Sequence, residues 1–91
     1  DLVPAPEQQV LDVIRRIFAT ELEFKGAVEP EHDLQRDLRV DSLKAVILAV
    51  GLEDHFRVLL AQEDTVGVTT VAELVTRVAQ RVRETRAGTA G

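Results

Sequence analysis

The apolar positions of this chain recur in three helical registers separated by two polar stretches, and no segment alternates apolar and polar residues with the period of a strand. Val10, Leu11, Ile14, Ile17 and Phe18 return at three- and four-residue steps. They predict a helix from about Glu7, with Asp12, Arg15, Arg16 and Glu21 on its polar side. Pro6 suits the first turn, where the N–H it lacks would have no partner. A second helix, Ser42 to about Phe56, puts Ala45, Leu48, Ala49, Leu52 and Phe56 on one stripe when residues are placed at about 100° steps. Val71, Leu74, Val75, Val78 and Val82 define a last helix, whose start is marked by the capping-box spacing of Thr70 and Glu73.

Between the first two helices the chain turns polar from about Phe24 to Asp41, with Gly26, Pro30 and the acidic run Glu29, Glu31 and Asp33. A loop of this length is uncommon in a compact domain unless it has a function, and Leu34 and Leu38 are expected to pin it to the bundle. Residues Gln62 to Val66 suit one short helical turn stopped by Gly67. The predicted fold is therefore all-α: a four-helix bundle of three longer helices and one short helix, with a long loop between helices one and two. It forms a single domain over residues 1–91, ordered from about 7 to 85, with loose tails at 1–5 and 87–91.

The second helix carries more apolar surface than one core needs. Leu43, Val46, Ile47 and Val50 lie on roughly the opposite side from Leu48 and Leu52, so the helix is apolar nearly all round. Either both stripes are buried, the second beneath the loop or the short third helix, or the second is exposed and docks a partner.

Composition narrows the function. With 91 residues there is room for one small core, and with no cysteine there is neither a disulfide nor a thiolate for metal or redox chemistry. The longest apolar stretch, Ala45 to Leu52, is too short to insert in a membrane, and no leader opens the sequence, so the cytoplasm is the expected location. Eleven basic against sixteen acidic residues leave a net charge of −5, with no basic stripe interleaved with aromatics, which argues against a nucleic-acid partner. A monomer is expected.

Ser42 stands where the polar loop hands over to the second helix, with Asp41 or Ser42 as the N-cap. The free N–H groups and dipole at a helix start favour an anion just outside, so a phosphate ester on Ser42 is well placed. As a nucleophile in its own right the serine lacks a base. His55 is thirteen residues further along the same helix, about 20 Å away at about 1.5 Å per residue. His32 sits alone in the loop, and its acidic neighbours Glu29, Glu31 and Asp33 do not make a metal site without further nitrogen or sulfur ligands. No catalytic residue and no metal ligand is assigned.

The run Asp37-Leu38-Arg39-Val40-Asp41-Ser42-Leu43 resembles the modification site of acyl carrier proteins. The resemblance continues in register from about Asp33 to Val78. Leu52-Glu53-Asp54-His55-Phe56 matches the segment ending that family's second helix, and Val68-Thr69-Thr70-Val71 matches the entry to its last. It implies a carrier and not an enzyme: Ser42 bears a covalent 4′-phosphopantetheine arm, drawn from coenzyme A by a phosphopantetheinyl transferase, and the arm's thiol holds acyl groups as thioesters. The same resemblance implies that Asp41 assists the transfer through the transferase's metal and that Leu43 touches the transferase. It favours the docking explanation of the second stripe, and it implies partners among acyl-loading and acyl-processing enzymes of fatty-acid, lipid or polyketide-type biosynthesis. Room for an acyl chain among Ala45, Ala49, Val46 and Val71 is a further implication.

Three residues depart from the family pattern. Arg39 stands where glycine is frequent, Lys44 where an acid is common, and Ile47 where fatty-acid carriers present glutamate. Together with Val50, Glu53 and Asp54 they form the expected partner face, altered in charge near Ser42, which points to a specialised carrier. An aminoacyl or peptidyl carrier is an alternative, although the Leu-Gly-Gly-x-Ser run of peptidyl carriers is missing. An unmodified helical adaptor that binds one protein through helix two is the alternative from another class.

Overall fold

The protein, described here from a computed structural model over residues 5–60 and 67–90, with side chains to Thr85, is built from three helices. They are α1 (Pro6–Thr20), α2 (Ser42–Phe56) and α3 (Val71–Ala90), and no strand forms among the described residues. The short turn expected at Gln62 to Val66 lies outside the described residues. Residues 21–41 join α1 to α2 without a helix.

Each helix starts where its sequence supplies a way to satisfy the first N–H groups. Pro6 occupies the first turn of α1. Asp41 caps α2, its Oδ1 accepting the N–H of Lys44 at 2.9 Å. Thr70 and Glu73 close a capping box on α3: Thr70 Oγ1 accepts the Glu73 N–H at 3.2 Å, and Glu73 Oε1 accepts the N–H groups of Thr69 and Thr70 at 2.8 and 3.1 Å. These two N–H groups, Thr69 first, hold the Glu73 carboxyl below the usual carboxylate range. The α2 helix stops without glycine, because Arg57 takes the left-handed conformation at φ 58°. The α3 helix runs on to Ala90, through Gly88 and residues expected to belong to the tail.

The core lies where the three faces meet. Val10, Val13, Ile14, Ile17 and Phe18 of α1 pack with Leu48 and Leu52 of α2 and with Val71, Leu74, Val75, Val78, Ala79 and Val82 of α3. Its stripe on α2 is narrower than the sequence suggested. Ala45 is exposed, and Ala49 and Phe56 are half-buried, because only the sector centred on Leu48 and Leu52 faces the other helices. Gly51 marks the close approach of α2 to α1: a Cβ there would stand 2.7 Å from Cδ1 of Ile17. At the opposite edge Glu7 pairs with Arg83, tying the start of α1 to α3. The backbone hydrogen bond at Glu7, then that guanidinium, lowers the Glu7 pKa.

The 21–41 connection is pinned as the buried leucines predicted. Leu34 and Leu38 enter the core with Val28, and Phe24 sets its ring edge-on to Phe18 at 5.7 Å. Backbone bonds from Leu34 N–H to Thr69 O, Val71 N–H to His32 O and Ala72 N–H to Pro30 O stitch the loop to the start of α3. Arg15 holds its middle from below, donating through Nε to Val28 O at 2.9 Å and pairing with Glu29 at 3.2 Å.

Candidate functional site at the start of helix α2

Ser42 is the first residue of α2, and its side chain is exposed at the end of a closely bonded turn. The turn is built from two aspartates. Asp33 Oδ1 accepts the N–H groups of Gln35 and Arg36 at 2.9 and 2.8 Å, while Asp37 Oδ2 accepts the Asp33 N–H at 2.7 Å. Val40 N–H then closes onto Leu34 O at 2.8 Å, delivering Asp41 and Ser42 to the helix start. Arg39 meets this closure at φ 58°, in the left-handed region where side chains carry a penalty of about 1–2 kcal/mol. That geometry is the physical reason for a glycine at such a position.

The sequence-predicted residues meet different surroundings. Asp41, Ser42 and Leu43 come together at the helix start, and all three are exposed. Of the second stripe, Leu43 is 68 % exposed, Val46 58 % and Val50 55 %, while Ile47 is half-buried. The surplus apolar surface of α2 is therefore mostly presented outward and not covered by the loop. Arg39 and Asp54 are exposed and Lys44 is half-exposed. Glu53 is engaged locally instead: its Oε2 accepts the Leu60 N–H at 2.8 Å and holds the chain leaving α2.

An open groove of about 540 Å³ runs between α1 and α2, lined by Val46, Val50 and Gly51 and rimmed by Arg16, Asp54 and His55. On the other side of α2 a small apolar cavity of about 60 Å³ lies under Ala45 and Ala49, among Leu34, Leu48, Leu74 and Val68. Val46 faces outward and Val71 is in the core, so neither lines it; of the four residues expected there, only the two alanines do. A volume of this size holds about two water-sized groups.

His32 does not serve the serine. Its Nδ1 accepts the Glu29 N–H at 3.0 Å, a structural role that a lone polar residue in an aperiodic loop does not announce. His55 sits at the far end of α2, edge-on to Phe56 at 4.7 Å. No group of three or more metal-binding side chains occurs among the described residues, nor is any of their helices long and apolar enough to cross a membrane.

Comparison with known proteins shows which family the chain belongs to. A family model described as a phosphopantetheine attachment site matches residues 12–78. The chain belongs to the acyl carrier protein family. It is 35 % identical over 88 residues to an acyl carrier protein of Streptomyces coelicolor, covering 94 % of this chain and 96 % of that one. It is 40 % identical over 68 residues to acyl carrier protein 3 of Ralstonia nicotianae, 74 % of this chain and 78 % of that one. A solved Mycobacterium tuberculosis structure assigned as an acyl carrier protein superposes with a TM-score of 0.66 at 32 % identity, covering 84 % of this chain and 97 % of that chain. Members of the family are carriers and not enzymes. Their domain bears a covalent 4′-phosphopantetheine, and they serve phosphopantetheinyl transferases and acyl-handling enzymes.

Residues at the start of α2 fit that group. The hydroxyl is exposed on the first helical residue, at the end of α2 whose dipole favours an anion, and the neighbouring turn is held by its own hydrogen bonds.

Proposed function

We propose that this acyl carrier protein holds acyl intermediates on an arm at Ser42 and presents them to enzymes of fatty-acid, lipid or polyketide-type biosynthesis. The observation that carries the reading is the exposure of Ser42 at an Asp41-capped helix start beside the uncovered apolar strip Leu43, Val46 and Val50. The arm supplies a thiol, which this cysteine-free chain lacks, for thioester exchange. In the loading step Ser42 Oγ forms the new P–O bond, the pyrophosphate bond of coenzyme A breaks, 3′,5′-ADP leaves, and the hydroxyl proton passes to the transferase. Asp41 faces the transferase with its charge while its Oδ1 holds the helix start, and Leu43 offers the apolar contact next to the reacting hydroxyl.

Arg39, Lys44 and Ile47 distinguish this surface from that of a housekeeping fatty-acid carrier and support a specialised pathway. Together with Val50 and Asp54 they make the partner face; Glu53, turned onto Leu60, shapes its lower edge.

The test is an intact-mass measurement after incubation with coenzyme A and a broad-range phosphopantetheinyl transferase. Wild type gains one phosphopantetheinyl group and Ser42→Ala gains none. A wild type that stays unmodified, with α2 surface variants impaired only in protein capture, would assign the chain to the unmodified adaptors.

A further inference from the structure

Ser42 heads a row on α2 whose other members all border one groove. Residues four apart on a helix form a ridge inclined to its axis, and the row Ser42, Val46, Val50 and Asp54 turns by about 40° per step toward α1, which α2 meets at Gly51. Its last three members line the groove of about 540 Å³ between α1 and α2. Gly51 and Ile17 form the floor. Val46 and Val50, each more than half exposed, give the groove an apolar wall, and Arg16, Thr20, Asp54 and His55 bring donors and acceptors to its rim.

A 4′-phosphopantetheine arm counts about fourteen bonds from Ser42 Oγ to its sulfur, which at about 3.5 Å per three extended bonds spans about 16 Å. Along the ridge Val50 stands about 12 Å from Ser42 and Asp54 about 18 Å. The arm thus runs the length of the apolar wall and ends between these two residues. Its geminal methyl groups, about four bonds from Oγ, fall level with Val46, and its two amides lie further on, where the rim residues stand. The cavity under Ala45 and Ala49, about 60 Å³, is too small for it. Resting on the carrier reading above, we propose that, with no enzyme bound, the arm on Ser42 lies along this ridge in the α1–α2 groove, its geminal methyl groups on Val46 and its amides toward the rim. Tethering gives it an effective concentration of about a millimolar, so an intrinsic dissociation constant of about 1 mM half-fills the groove. Arm and enzyme then compete for Val46 and Val50. An enzyme that docks on the strip lifts the arm and frees the thiol, and an unbound carrier keeps the arm folded against itself.

NMR of the full chain before and after loading, with uptake of the arm confirmed by intact mass, tests this. Loading shifts the Gly51 amide and the Ile17 Cδ1 methyl as well as Val46 and Val50, and the arm's geminal methyl protons give NOEs to Val46. The Ile17 methyl is the decisive reporter, because it lies on α1 across from Gly51, about 14 Å along α2 from the new ester. Since the chain has no cysteine, a maleimide spin label reacts with the arm's thiol alone. It broadens Ile17 and Thr20, in the groove, more than Val68 and Leu74, in the small cavity. Shifts confined to Asp41, Ser42 and Leu43, or broadening strongest at Val68 and Leu74, overturn the inference. Mass separates the two claims: a loaded carrier with an unchanged Ile17 methyl defeats the inference alone, whereas a chain that takes up no arm defeats the carrier reading and the inference with it.

Discussion

Asp41 has two separable duties, and two substitutions pull them apart. Its Oδ1 accepts the Lys44 N–H at 2.9 Å from an extended N-cap backbone, a geometry asparagine reproduces and alanine does not. Losing the cap costs about 1 kcal/mol, and losing a negative charge at the helix start costs about 0.5 kcal/mol. Asp41→Ala therefore loses about 1.5 kcal/mol and Asp41→Asn about 0.5 kcal/mol. In a domain of this size these correspond to Tm decreases of roughly 6–12 °C and 2–4 °C. Arm transfer orders the variants differently. If the carboxylate's charge assists the transferase, removing it costs a charge-assisted contact of about 1.5–3 kcal/mol, and both variants load about 10–160-fold more slowly. Thermal melts and a time course of intact mass, with coenzyme A and one transferase, read the two quantities independently. Asp41→Asn loading at the wild-type rate would refute the charge role; loading rates that follow Tm would reduce Asp41 to a cap.

Gly51→Ala gains about 1 kcal/mol of helix propensity but drives a Cβ to 2.7 Å from Ile17 Cδ1, an overpacking cost of about 1–3 kcal/mol. Urea unfolding should show it neutral to destabilising in wild type and stabilising in an Ile17→Val background, which removes Cδ1; the same sign in both backgrounds contradicts the packing account. Because the Glu7 and Glu73 carboxyls are held below their ordinary range, their contribution is present above the unfolded-state pKa and is lost as pH falls through the lowered folded values. Glu73→Gln, which keeps the capping-box shape, should flatten the acid side of the stability profile, and an unchanged slope would discount the Thr69 and Thr70 hydrogen bonds as its source. Arg39→Gly relieves a left-handed penalty of about 1–2 kcal/mol against an entropy loss of about 0.5–1 kcal/mol, so its Tm should equal or exceed that of wild type, whereas Arg39→Val should lower it.

Helix boundaries were legible where the chain carries explicit chemistry. The start of α2 at Ser42 follows from the Asp41 cap, and the start of α3 from the Thr70 and Glu73 box; the buried face of α3 followed its valine and leucine spacing. The end of α3 was not legible, because Gly88, which reads as a stop, lies inside the helix instead of ending it. Val13 went unread because it stands beside the main α1 stripe, on the side that borders the groove toward α2. At the site, the residues around Ser42 could be named, yet their bonding could not. Asp33, Asp37, His32 and Glu53 each satisfy a backbone N–H several residues away, and such bonds leave no period in the sequence. Arg39 was visible as a departure from glycine, but only the backbone supplies the reason: a left-handed turn three residues before the serine.

Leu43, Val46 and Val50 have a colloidal consequence as well. A strip left open for passing enzymes is equally open to other copies of the chain, and Leu59, 86 % exposed, extends the sticky area beyond the end of α2. The opposing force is the surplus of five negative charges spread over a molecule of 91 residues. That repulsion reaches about 8 Å at physiological ionic strength and about 3 Å in 1 M salt. The acidic surface thus acts as a spacer, keeping at arm's length the molecules whose apolar strips would otherwise pair, and concentrated salt removes the spacer while leaving the strips unchanged.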